Sequence, residues 1–146
     1  MRITYRGDYA LKTILDLALH YDKSPVNIAD LAERADIPVK FLEQILLDLK
    51  RGGFVESRRG KVGGYLLAKP PSRIKVGEVI RFIDGPIEPI ACVDKGYHGC
   101  RDVSVCIFRG IWEEVAKHTA RVIDNISFED LAKKFSRLKS TLVYQI

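Results

Sequence analysis

The most restrictive feature of this sequence is a pair of helix-breaking signals, Asp36-Ile37-Pro38 and Gly52-Gly53, that bracket one short amphipathic segment. Between them Leu42, Ile45, Leu46 and Leu49 recur at helical spacing on a single face. Proline suits the first turn of a helix, and paired glycines stop one. Ahead of the first break, residues 28–35 predict another short helix, with Asn27 placed as its N-cap. After the glycines, Phe54-Val55-Glu56-Ser57 and Tyr65-Leu66-Leu67-Ala68 read as two strands joined by Arg58-Arg59-Gly60-Lys61-Val62-Gly63-Gly64. Two helices on a tight turn, then a basic hairpin, leave few folds open.

The rest of the chain predicts mostly helix. Residues 8–21 carry Leu11, Ile14, Leu15, Ala18 and Leu19 on one stripe, until Ser24-Pro25 interrupts. Lys69-Pro70-Pro71-Ser72 punctuates the chain, and residues 76–83 predict a short helix with Val79, Ile80 and Ile83 on one side. Residues 85–101 hold three glycines, two prolines and two of the three cysteines, so they form a loop that needs something other than a core to order it. Val105, Phe108, Trp112, Val115, Thr119, Val122 and Ile126 then alternate three and four apart through three heptads. That stripe serves either a helix packed on its own domain or a helix-pairing seam, and its length favours self-association. Ser127-Phe128-Glu129-Asp130 reads as a capping box that opens a last helix, through about Leu138.

Charge distribution narrows the function. The net charge of +5 comes from the first half: residues 1–75 carry 14 Lys and Arg against 9 Asp and Glu, and residues 76–146 carry 10 against 10. Within residues 50–75, eight basic residues face Glu56 alone. A stripe of this kind is either a solvated face or a polyanion-binding surface. No apolar run approaches the roughly 20 residues of a membrane span, and the N-terminus lacks a secretory h-region, so a cytoplasmic location and no membrane partner are expected. No acid–base pair and no glycine-rich phosphate loop accompanies the thiols, which sets the enzyme classes aside.

Helix, tight turn, helix and basic hairpin form the winged helix-turn-helix pattern, whose second helix enters a major groove. With its leucine face packed inward, that helix leaves Lys40, Glu43 and Gln44 near its exposed N-terminal end. Gln44 can pair with adenine, Glu43 can accept from cytosine N4, and Lys40 can meet guanine or a phosphate. Arg58, Arg59 and Lys61 on the wing suit a narrow minor groove. The fold class is therefore mainly α with a small β wing: a DNA-binding domain over residues 1–84, a cysteine-bearing loop over 85–106, and a dimerisation helix plus C-terminal helix over 107–146.

Cys92, Cys100 and Cys106 lie eight and six positions apart and are the only cysteines. An odd count in a reducing compartment argues against structural disulfides. Thiolates suit zinc and iron–sulfur clusters alike; each needs a fourth ligand, and the spacing does not choose between them. His20 and His118 fall on helices, with ordinary surface or packing roles expected.

Three runs carry a more specific likeness: Arg2-Ile3-Thr4-Tyr5-Arg6-Gly7-Asp8-Tyr9-Ala10, Val39-Lys40-Phe41-Leu42-Glu43-Gln44-Ile45-Leu46, and Arg58-Arg59-Gly60-Lys61-Val62-Gly63-Gly64-Tyr65-Leu66-Leu67. With Val76-Gly77-Glu78-Val79-Ile80, the three-cysteine loop and the long helix after it, the chain resembles the Rrf family of bacterial transcription regulators, in its IscR/NsrR branch. The resemblance implies a homodimer paired through the long helix on a pseudo-palindromic double-stranded DNA operator, usually a repressor that senses redox state, nitric oxide or iron–sulfur status. It implies an iron–sulfur cluster on Cys92, Cys100 and Cys106. The first cysteine interval is two residues longer than the family's usual one, which an insertion around Tyr97-His98 explains. Members with a 2Fe-2S cluster supply a histidine three residues after the last cysteine, where this chain has Arg109. Nitric-oxide-sensing members use an N-terminal aspartate from the partner subunit, and Asp8 stands at that place. Asp8 is thus the first expectation for the fourth ligand and His98 the second, with 4Fe-4S preferred over 2Fe-2S; a zinc site or a thiol switch is the alternative.

Overall fold

The computed structural model describes residues 2–145. Six helices and one two-stranded antiparallel sheet follow in the order α1 (Tyr5–Leu19), α2 (Ile28–Ala35), α3 (Val39–Arg51), β1 (Val55–Arg58), β2 (Gly64–Leu67), α4 (Val76–Asp84), α5 (Arg109–Ile123) and α6 (Phe128–Tyr144), with short 3-10 turns at Pro71–Arg73 and Ala91–Val93. The mainly helical class with a β wing is as expected.

Local signals explain the helix-turn-helix. The Asn27 side chain accepts the Asp30 N–H at 2.9 Å and opens α2. Asp36 closes it in the left-handed conformation, φ 53°. Pro38 is the N-cap of α3, and its carbonyl accepts from Leu42 at 3.0 Å. The leucine face of α3 is buried as predicted, Leu42 and Leu49 completely. α1 is the hub, packing against α2, α3, α4 and α6 through Ala10, Ile14 and Leu17. It begins three residues before the predicted start, because the Thr4 hydroxyl caps Gly7 N–H at 3.1 Å.

The wing pairs Val55 with Leu67 through Arg58 with Gly64. It is bolted to the body where Val26 and Tyr65 exchange both backbone hydrogen bonds, at 2.9 and 2.8 Å. Gly64 permits this approach: at φ 153°, a Cβ there would lie 2.4 Å from the Val26 carbonyl oxygen. Gly64→Ala is therefore expected to cost about 1–3 kcal/mol through backbone displacement, read as a lower urea midpoint; an unchanged midpoint would refute the clash.

The long stripe needs correction. The regular helix α5 covers Arg109–Ile123, so Val105 precedes it in a turn and Ile126 follows it in the connection to α6. The chain leaves the helix there because backbone pairing intervenes: Val76 N–H donates to the Ile126 carbonyl at 3.1 Å, and Lys75 bridges Ser127. Arg81 and Asp124 add a two-pronged ion pair, at 2.6 and 3.0 Å, from α4 to the end of α5. The last helix also runs further than expected, to Tyr144 rather than about Leu138. Ser127 caps it reciprocally with Asp130, whose carboxyl is held below the usual carboxylate range by the Ser127 hydroxyl and N–H. No helix among the described residues is long and apolar enough to cross a membrane.

Candidate nucleic-acid interface and cysteine segment

Lys40, Glu43 and Gln44 are all exposed on α3, on the side away from its leucine face. Gln44 Nε2 donates to Asp48 Oδ1 at 3.4 Å, a long bond that leaves the amide oxygen free. Asp48 is buried and also accepts from the Arg6 guanidinium of α1, so α3 is tied to the hub by an ion pair. The sequence reading missed this pair. Its one local signal is that Asp48 flanks the buried leucine stripe, where an ionised group needs a partner. Arg51, one of the eight basic residues of the 50–75 stripe, is exposed at the end of α3 and lies 3.8 Å from Asp48.

Lys50 Nζ donates to Ser57 Oγ at 2.7 Å, joining the end of α3 to β1. On the wing, Arg58 lies 3.7 Å from Glu56 across open solvent. Arg59 and Lys61 are exposed at the tip and have no ion-pair partner among the described residues. Helix face and wing tip therefore present a cationic surface on which Lys40, Arg59 and Lys61 have no protein partner among the described residues, leaving them available for phosphate and base-edge contacts.

The cysteines occupy a different region. Cys92 is half-buried on the 3-10 turn Ala91–Val93, which packs on α5; Cys100 and Cys106 are exposed, and all three thiols are free. His98 is exposed between them. Asp8 sits in the first turn of α1, paired with Lys12 at 2.8 Å, and lines an open cavity of about 630 Å3 with Arg2, Ile3, Thr4 and Tyr5. The hydrogen bond to Asp8 pushes the Lys12 ammonium pKa up, against the smaller opposing effect of desolvation.

The donor set fits an iron–sulfur group in kind, since three free thiols share one segment. Among the described residues no three His, Cys, Asp or Glu side chains converge on a common point, so the loop must draw together to make a cage. Its base is firmly placed. Asp84, the last residue of α4, accepts from Thr4 N at 3.0 Å and from Thr4 Oγ1 at 2.5 Å. Gly7 makes room for it, since a Cβ there would lie 2.3 Å from the carboxylate. The start of the cysteine segment is thus fastened to the helical turn that carries Asp8.

Against this geometry, the family model described as Rrf2, iron-dependent transcriptional regulator, matches residues 3–134. The chain belongs to the Rrf2 family. It is 38% identical over 133 residues to the HTH-type transcriptional regulator IscR of Xenorhabdus nematophila, covering 91% of this chain and 80% of that one. It is also 38% identical over 131 residues to IscR of Escherichia coli, covering 90% and 80%. Among solved structures, CymR, the global cysteine regulator of B. subtilis, superposes with a TM-score of 0.77 at 28% identity, covering 92% of this chain and 98% of that one. T. potens IscR gives 0.73 at 30% identity, covering 92% and 88%. These Rrf2 regulators are not enzymes. This chain is a transcriptional regulator of IscR type, and regulators of this family bind DNA.

Proposed function

We propose that the chain acts as a homodimeric regulator, a repressor, that grips a pseudo-palindromic operator and senses redox state, nitric oxide or iron–sulfur status through a cluster. The observation that carries this reading is the pairing, in one small fold, of a free reading helix and cationic wing with a three-thiol segment anchored to α1 by Asp84. Cys92, Cys100 and Cys106 would hold the cluster, of 4Fe-4S type, with Asp8 supplied across the dimer as fourth ligand and His98 as the substitute. When bound, it supplies a crosslink sensitive to oxidants and to nitric oxide.

The chain's own residues translate that crosslink. Val115, Val122 and their exposed neighbours on α5 give the dimer its seam, which sets the spacing of the two reading helices. Asp84 passes a displacement of the loop to Thr4 and the first turn of α1, and Arg6 passes it to Asp48 on α3. A ligand shifts operator affinity only through a difference in its own binding to the two arrangements. Residues 1–84, 85–106 and 107–146 then serve as reader, sensor and dimerisation segments.

A thiol switch is the second reading. It is favoured by the exposure of Cys100 and Cys106 and by similarity to Staphylococcus aureus CymR, solved in a form described as oxidized, with a TM-score of 0.71 and 25% identity. Anaerobic purification followed by visible absorbance, iron, zinc and sulfide assays separates the readings; a colourless protein without labile sulfide would sink the cluster. For the DNA-binding half, Arg59→Ala is expected to weaken binding to a selected duplex and to lower the log–log salt slope by about one. An unchanged slope would remove the wing tip from the phosphate contacts.

A further inference from the structure

We propose that Leu47 is a specificity-determining residue that reads the 5-methyl group of a thymine in the major groove, an inference that rests on α3 being the groove-reading helix. The core requirement of α3 is met on one face by Leu42, Ile45, Leu46 and Leu49. On the opposite face Lys40, Gln44, Leu47 and Arg51 follow at i, i+4, i+7 and i+11, one line along the helix. Leu47 sits in the middle of that line and is 44% exposed. Its companions there are two cations and an amide. The exposed positions of α2 show the contrast, since Ala29, Asp30, Glu33 and Arg34 include no large apolar side chain.

The chemistry of the groove decides what such a side chain recognises. Leucine has no donor or acceptor, so it is blind to the hydrogen-bonding pattern that Glu43 and Gln44 address. The apolar group that base edges present in the major groove is the thymine methyl. Val39 and Phe41 are also exposed on α3, but off this line; along the line Leu47 has polar neighbours on both sides, which favours base edges over a second protein, whose interface core would call for a contiguous apolar patch. Leu47 thus adds a methyl preference at one position beside the bases read by Gln44.

The test begins with a library of randomised DNA duplexes, from which the full-length protein selects its preferred sequence. Each thymine of that sequence is then replaced in turn by uracil, which removes only the methyl group. Wild-type protein is expected to lose about fourfold in affinity at one thymine position per half-site, the effect of burying about one methyl group. Leu47→Ala, a helix-favouring change at an exposed site, is expected to bind the thymine and uracil forms equally while keeping its other base preferences. If a sequence is enriched but wild-type protein ignores every methyl, or the variant keeps the preference, Leu47 is not the reader. If no sequence is enriched at all, the DNA-reading function itself fails, and this inference with it.

Discussion

Phe128→Ala should remove about 3–5 kcal/mol of folding stability, a large part of the roughly 5–15 kcal/mol that a domain of this kind possesses. The ring is completely buried at the start of α6, in the same core as Ile14, Leu42 and Val79. Its backbone N–H donates to the Ile74 carbonyl at 3.0 Å, and Ser127 beside it bridges Lys75, so the surroundings are fixed and cannot collapse into the void. The truncation therefore combines lost transfer energy with a cavity. Urea unfolding with a linear extrapolation measures it. Leu138→Ala on the same helix is the control: that side chain is 56% exposed, and less than about 1 kcal/mol is expected for it. Equal losses for the two variants would mean that α6 does not close the core.

Cys100→Ala is expected to abolish the visible chromophore of the anaerobically purified protein, with iron and sulfide falling together, while light scattering still reports a dimer. Cys100 is exposed in the loop and is not part of the core cluster, so its removal is expected to leave the fold, and with it the proposed seam on α5, intact. A cluster retained with normal absorbance would strike Cys100 from the ligand set. Parallel changes at Asp8 and His98 assign the fourth position. Loss of the side chain that completes the set is expected to alter the spectrum, whereas loss of the other leaves it untouched.

The helix-turn-helix and wing were legible in the sequence because their determinants are local. Asn27, Pro38, Gly52 and the leucine stripe each act within a few residues of themselves, and each appears where the sequence places it. The true ends of α1 and α5 were not legible, because distant partners set them. Thr4 is held by Asp84, 80 residues away, and the end of α5 is fixed by pairing of Val76 and Lys75 with the chain around Ser127. A heptad count registers apolar spacing but not the backbone bonds that stop a helix, so the stripe from Val105 to Ile126 overran the helix at both ends. The candidate site divides in the same way. Exposure of Lys40, Glu43 and Gln44 followed from periodicity, whereas the Arg6–Asp48 tie, 42 residues apart, left no pattern to count.

The two backbone hydrogen bonds between Val26 and Tyr65 carry a further consequence. They tie the hairpin to the body as an outrigger, so that in the proposed dimer each protomer would act as a caliper jaw with a preset gap between helix and hairpin. Regulation cannot retune that gap without breaking main-chain pairing. In the proposed dimer, adjustment would then fall to the hinge between the two jaws, with the α3 helix and hairpin of each protomer carried along together by α1.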